Sequence, residues 1–291
     1  MKAFIPYKLT GEVEFAGIKA NPKPVDPQSL SGSITYIAPH PCLYPDEVED
    51  GLVVFGEKYG TPELTVVIRE RVIPSSSIRD YVVSKEKEYC NDTGNERAPR
   101  KLRQDWKEDY LVEHLPTAPI KTTTVPVMFL NNDNCVLVGT SSQKIADQVT
   151  SYLLLTMSDF SVTPFDTTHM AAWLTDCLID SDGGDVFGMV EYENRQNGIR
   201  TKYMDDHDLF EARNKVGANP DIMVRAAMFN INEDGSCVIN HKGVVSQIKL
   251  NPSDTSSSTD RTIEDKRATR ILVTNLCMHI VEKLKDAKKG E

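Results

Sequence analysis

No stretch of this chain is apolar for long enough to cross a bilayer. Its first residues, Met1-Lys2-Ala3-Phe4-Ile5-Pro6-Tyr7, also lack the apolar run of a signal peptide. A cytoplasmic protein with no membrane partner is therefore expected. The six cysteines (Cys42, Cys90, Cys135, Cys177, Cys237, Cys277) are scattered, and none pairs with another at metal-ligand spacing. Without a leader they are expected to stay reduced. The six histidines are equally scattered, and none stands in a nucleophile motif with serine or cysteine. Hydrolase or nuclease chemistry has no motif here, no cofactor is implied, and the chain shows no internal repeat.

What is present fits an ordinary globular protein. At 291 residues, 40% hydrophobic and 26% charged, the chain can bury a substantial core as one large or two to three small domains. Its formal net charge is -10 and its isoelectric point about 5.2. That balance argues against nucleic acid binding over the whole surface but leaves room for a localised basic channel.

The strongest pattern lies at residues 69–116. Pro74 stops a preceding strand, and Ser77 with Asp80 has the spacing of a capping box. Ile78, Tyr81, Val82 and Tyr89 then fall on one helical stripe. A turn at 91–95 leads to Pro99, placed for the first turn of a second helix that carries Leu102, Trp106 and Tyr110 four residues apart. Pro116 ends that helix. Residues 69–113 hold ten basic and ten acidic side chains, so the excess acid lies elsewhere. Arg97, Arg100, Lys101, Arg103 and Lys107 form a local basic cluster. Taken alone it reads as a solvated helix face with ordinary ion pairs.

Around this hairpin the pattern predicts strands at 4–9, 12–15, 34–37, 51–55 and 64–68, the last two joined by a turn at 58–62 as an antiparallel meander. Residues 21–45 otherwise read as an ordered loop. Strands follow at 122–130 and 135–138, then a helix over 141–155 with Ile145, Val149, Tyr152 and Leu153 inward, and a strand at 160–165. The helical hairpin is thus inserted between strands of one sheet. A second unit opens with a helix over 168–179, anchored by Trp173 and Leu174, a loop at 181–185 and a strand at 186–193. The strand at 198–203 puts Arg200 and Lys202 on one face. A helix at 208–216, a strand at 222–231 and a turn at 233–236 come next, with the return at 237–240 or 246–250. A loop at 251–260 precedes a long final helix at 263–284.

Asp205-Asp206-His207-Asp208 resembles a metal cluster only superficially. Consecutive residues cannot all converge on one ion, and an acidic helix N-terminus explains them better. Trp106, Tyr110 and Trp173 read as core anchors rather than base-stacking platforms.

In order along the chain, Tyr7-Lys8-Leu9, Val72-Ile73-Pro74-Ser75 with its charged hairpin, the helix ending in Leu115-Pro116, Val162-x-Pro164, Gly198-Ile-Arg200-x-Lys202 and Glu233-Asp-Gly-Ser236 resemble the recombination-associated protein RdgC family. The resemblance implies an α+β crescent: a central domain of 1–69 and 117–165, a helical-hairpin tip at 70–116 and a base at 166–291. Two crescents would close into a ring-shaped homodimer through tip and base contacts. Duplex DNA would thread the ring without sequence preference, limiting access of a RecA-type recombinase, with no enzymatic activity and with nucleoid association. On that basis Arg97, Arg100, Lys101, Arg103, Lys107, Lys121, Arg200 and Lys202 become the expected DNA contacts. Thr117, Pro119 and Ile120 become the gate, and Ile271, Leu272, Leu276 and Ile280 the dimer base. Two departures stand out. The family's Leu-Pro-Arg-Ala-aromatic finger is here Leu115-Pro-Thr-Ala-Pro-Ile120, and its early Gly-Trp-x-x-Pro lacks the tryptophan around 32–39. Such divergence would suit a viral or mobile-element version. The alternative reading is an acidic interaction protein of the same fold that engages a host or partner protein rather than DNA.

Overall fold

The structure, a computed structural model, describes residues 1–11, 13–15, 18–19, 33–49, 53–56, 61–180, 186–231, 235–250 and 263–286. Much of the expected loop at 21–45, the first residues of the expected strands at 12 and 51, most of the turn at 58–62, half of that at 233–236, and the loops at 181–185 and 251–260 lie outside the described residues.

The chain is α+β, with two antiparallel sheets. In order come β1 (Ile5–Leu9), β2 (Ser33–Ala38), α1 (Pro45–Glu49), β3 (Glu63–Arg71), α2 (Ser75–Thr93), α3 (Arg100–His114), β4 (Ile120–Leu130), β5 (Cys135–Val138), α4 (Gln143–Thr156), β6 (Val162–Pro164), α5 (Met170–Asp180), β7 (Val186–Asn194), β8 (Arg200–Tyr203), α6 (Asp206–Ala218), β9 (Ile222–Ile231), β10 (Gly235–Asn240), β11 (Val245–Leu250) and α7 (Ile263–Asp286). The six-stranded sheet runs β2-β3-β4-β5-β1-β6 and the five-stranded sheet β11-β10-β9-β7-β8. The hairpin α2–α3 therefore connects neighbouring strands, as its position in the sequence implied.

The chain divides into two compact units, one of residues 1–19, 39–65 and 125–291, the other of residues 20–38 and 66–124. Strands β3 and β4 run through both, and their burial changes along their length. β3 is buried from Glu63 to Ile68 and then half-exposed over Arg69, Glu70 and Arg71. β4 is mostly exposed over Ile120–Thr124 and mostly buried from Val125 onward. The residue types largely follow this change, apart from the buried Glu63 and the exposed Ile120.

In the first unit the core is assembled on one face of the five-stranded sheet. Phe229, Ile231 and Ile239 point to it, and Leu174 and Leu178 of α5, Leu209 and Val216 of α6, and Leu276, Ile280 and Leu284 of α7 pack over it. Trp173 stacks on Phe229 at 5.4 Å, the anchor role expected of it. Leu276 and Ile280 have no accessible surface. This corrects their assignment to a dimer base, because a side chain already enclosed by its own fold has nothing to offer a partner. Leu272 is half-buried, and Ile271 is 50% exposed.

Other differences have local causes. Val13–Phe15 form no strand; Phe15 is buried edge-on against Phe129 at 4.9 Å, so its apolar surface is used without a ladder. Among the described residues of the strand expected at 51–55, which are 53–55, there is one bridge, Phe55 to Glu63. Helix α1 falls where the 21–45 loop was expected to end. On α4 the buried stripe is Ala146, Val149, Thr150 and Leu153. Thr150 takes an inward place because its hydroxyl donates to Ala146 O within the helix at 3.0 Å. The capping box of Ser77 and Asp80 does not form, since α2 already starts at Ser75 with Pro74 at the cap. Both candidate returns after β9 are used, β10 pairing with β9 and β11 with β10.

Gly235 opens β10 opposite Ile231 and Leu250. A Cβ there would stand 2.1 Å from Lys249 O and 3.1 Å from Leu276 Cδ2. Gly235→Ala is expected to cost ~2–3 kcal/mol in thermal unfolding, as other substitutions that overpack a core do. Gly217→Ala, whose Cβ meets nothing within 4 Å, serves as the control and should not destabilise.

A buried ionic cluster ties α7 to β3. Glu63 and Arg270 form an ion pair through both carboxylate oxygens. Glu63 is 1% exposed. His40 Nε2 lies 3.2 Å from Glu63 Oε1, and its Nδ1 accepts the Cys42 N–H at 3.2 Å, which fixes the proton on Nε2. The ring stacks on Phe55 at 4.8 Å. Contact with a carboxylate favours an imidazolium, but burial first and Arg270 second outweigh it and push His40 down to about 3.

Candidate nucleic-acid interface

The hairpin in the second unit is held by aromatic rungs rather than by a buried core. No side chain of α2 or α3 is fully buried. Tyr81 meets Tyr110 at 4.7 Å, Tyr89 meets Trp106 edge-on at 6.2 Å, and Tyr110 meets His114 at 4.1 Å. All but His114 are stripe residues read from the sequence. Gly94, left-handed at φ 69°, caps α2 by donating to Cys90 O at 2.9 Å, a conformation other residues adopt at a cost. Glu86 then closes the turn. Its Oε1 accepts the Ala98 N–H at 3.2 Å and lies 3.8 Å from both Arg97 Nε and Arg103 Nε. The sequence reading missed this role. The signal was there, a glutamate on the stripe flank of α2 facing two arginines beyond the turn.

The expected hairpin cations do not share one face. In a helix, residues three, four and seven apart stack on one side. Arg100, Arg103 and Lys107 obey that spacing and form one flank of α3. Asp105, Glu108, Asp109 and Glu113 obey it as well and form the opposite flank, and Lys101, four residues before Asp105, belongs with them. Arg100 and Lys107 are exposed and make no ion pair among the described residues. Arg103 is turned inward, its side chain 29% exposed beside Glu86, while Arg97 is 74% exposed.

Lys121, at the start of β4, lies 3.6 Å from Glu70 on β3. The expected gate is folded onto the same strand end. Thr117 completes a 3-10 turn at Leu115–Thr117, Pro119 O accepts the Val72 N–H at 3.0 Å, and Ala118 O accepts from Arg71 Nη1 at 3.0 Å. Thr117 and Pro119 remain exposed, and Ile120 is 38% exposed.

Arg200 and Lys202 belong to the other unit. They share a face of β8, as expected, but each stands opposite a glutamate of β7, Arg200 across from Glu193 and Lys202 across from Glu191. Arg200 Nε lies 2.9 Å from Glu193 Oε2, and Arg225 Nε is 3.0 Å from the same oxygen. The Arg225 bond first, with that of Arg200 behind it, holds the Glu193 carboxyl below its ordinary value. One carboxylate is thus shared by two guanidiniums, while Lys202 makes no ion pair among the described residues. Asp206 opens α6, the acidic helix start expected of this run, and its side chain and that of His207 lie outside the described residues. Among the described residues no three His, Cys, Asp or Glu side chains are grouped to hold a metal ion, and no helix is long and apolar enough to cross a membrane.

A cation-flanked antiparallel helix pair inserted into a β-sheet, in an otherwise acidic two-sheet chain, marks the class: an α+β protein that gathers cations on one flank of a helix. The chain belongs to the RdgC family; the family described as "Putative exonuclease, RdgC" matches residues 57–287, most of its length. Membership gives it a DNA-associated role related to recombination. No curated protein matches the chain.

Proposed function

We propose that this protein binds double-stranded DNA without sequence preference, as a ring-shaped homodimer, and limits the access of a RecA-type recombinase to the duplex. The observation that carries the reading is the segregation of charge on α3. Arg100, Arg103 and Lys107 spread over ~10 Å at ~1.5 Å per residue. That spans about three phosphate-to-phosphate steps of one strand, ~3.4 Å each along the duplex axis. Contacts of this kind position a protein on DNA and read no sequence. Thr117, Pro119 and Ile120 supply the tip contact between protomers, and Ile271 and Leu272 the apolar part of the base contact. Lys101, Arg97 and Lys121 add to the local potential. Arg200, engaged by Glu193, contributes less, and Lys202 adds to the potential of the base. Nucleoid association follows from DNA affinity. The reading includes no cleavage step.

Fluorescence anisotropy with two unrelated duplexes tests it. Both should bind equally at low salt, and affinity should fall by one to several orders of magnitude between ~50 and ~200 mM salt, according to the number of phosphates contacted. Absence of binding at low salt, or binding indifferent to salt, would sink the proposal. Shortening of either duplex on incubation with magnesium would sink its non-catalytic part. A dimer that co-purifies with another protein and ignores DNA would favour the acidic interaction protein instead.

A further inference from the structure

The five-stranded sheet treats its two edges differently. At β11 the outer edge is closed by the N-terminal residues: Phe4 N–H donates to Val245 O at 2.9 Å, Val245 N–H to Phe4 O at 3.0 Å, and Ile248 N–H to Lys2 O at 3.1 Å. At the far side β8 is the last strand, and among the described residues nothing pairs with its outer side. Asn194 N–H donates to Ile199 O at 3.0 Å, which makes that pair hydrogen-bonded. Antiparallel pairs alternate, so the next pair, Glu193 with Arg200, and the third along, Glu191 with Lys202, are not hydrogen-bonded. The main-chain N–H and C=O groups of Arg200 and Lys202 therefore point away from the sheet.

Short strands and cations are a common way to discourage edge pairing. The residues around β8 do not fit that purpose alone. Ile199 just before it is 60% exposed, Met204 just after it 66%, and Phe210 on the first turns of α6 71%. An open edge bracketed by exposed apolar side chains is a surface for strand addition.

We propose that β8 accepts an extended acidic segment of another protein as a sixth strand, with carboxylates on alternate residues facing Arg200 and Lys202 and apolar residues at its ends meeting Ile199 and Met204. Charge selects this occupant over a second copy of the chain. In any antiparallel β8–β8 pairing that keeps the helices of both copies on one side of the sheet, Arg200 and Lys202 fall among the same two cations of the other copy. Like charges directly across strands are destabilising. The glutamates across from these cations, Glu191 and Glu193, lie one strand further in. An incoming strand therefore meets the positive row first.

The test uses the full chain and a fluorescein-labelled synthetic peptide alternating glutamate and valine. Saturable binding is expected. Arg200→Glu with Lys202→Glu should weaken it by tenfold or more, on the order of what lost interfacial charge pairs cost. Lys202→Pro, which also removes an outward N–H, should weaken it more than Lys202→Ala, and a peptide methylated on alternate backbone nitrogens should not bind. Circular dichroism checks that each variant is folded, and the peptide pair gives the same answer on the unaltered chain. No binding, equal binding by the charge-reversed variant, or equal binding by the methylated peptide overturns the proposal. So does a self-association that these variants abolish while the peptide stays unbound.

Discussion

Arg270→Ala is expected to lower the melting temperature by ~10 °C. Removing one partner of a buried ion pair costs ~3–5 kcal/mol, because the other charge stays behind without compensation. At ~2–4 °C per kcal/mol for a unit of this size, the shift is large. The stranded group here is Glu63, only 1% exposed. Pairing Arg270→Met with Glu63→Gln should recover most of the loss. The charge is then gone, and the new amide oxygen still accepts from His40 Nε2. Failure of the double variant to recover would mean that Arg270 stabilises by packing rather than by charge. The same cluster predicts a pH dependence. Because the folded state holds His40 down to about 3 against an ordinary 6.5, the unfolded chain takes up a proton that the folded one refuses. Stability from this group is complete above pH 6.5 and falls as pH drops toward 3, by up to ~1.4 kcal/mol per pH unit. Urea unfolding between about pH 6.5 and 5 lies above most carboxylate titration, and His40→Gln should remove the part of the slope due to His40, leaving that of the Met1 amine, held down to about 6, and of His241, held below its ordinary value.

Reversing charge on the free part of the α3 flank is expected to have the largest effect on DNA. Arg100→Glu with Lys107→Glu should lower duplex affinity on the order of 100-fold at low salt, since two contacts become two repulsions. Arg103 is left alone deliberately. It stands 3.8 Å from Glu86, and a glutamate there would open the hairpin and confuse the result. Lys101→Glu, on the acidic flank, should change affinity several-fold at most. Circular dichroism checks that the hairpin stays folded in each variant, because Lys107 stands three residues from Tyr110, which meets Tyr81 at 4.7 Å.

Much of this fold can be read in the sequence. The hairpin announces itself by prolines at its ends and an aromatic stripe at helical spacing, and the structure keeps each of these. The hairpin after β9 is legible in its turn, though the sequence left its return open between the two strands that both form. What escaped was what periodicity does not encode. Ile271, Leu272, Leu276 and Ile280 share an apolar pattern, but only the packed sheet decides that two of them are interior. Phe15 and Phe55 look like strand residues and are buried with little or no ladder, since tertiary contacts satisfied them. On α4 a threonine that bonds its own helix displaces Ile145 and Tyr152 from the inward positions. At the interface, counting cations found the cluster but did not divide it. The division into two flanks needed the spacing of acids beside that of bases. The pairing of Arg103 with Glu86 needed the geometry of the turn. The glutamates across from Arg200 and Lys202 needed strand register.

The central claim is that one flank of α3 meets phosphates. The logarithm of duplex affinity falls with the logarithm of salt concentration at ~0.9 per phosphate neutralised. Measured side by side, wild type and Arg100→Ala with Lys107→Ala should therefore differ in slope by ~1.8, with Lys101→Ala close to wild type. Identical slopes in wild type and the double variant, or a loss of slope in Lys101→Ala equal to that of the double variant, would contradict it.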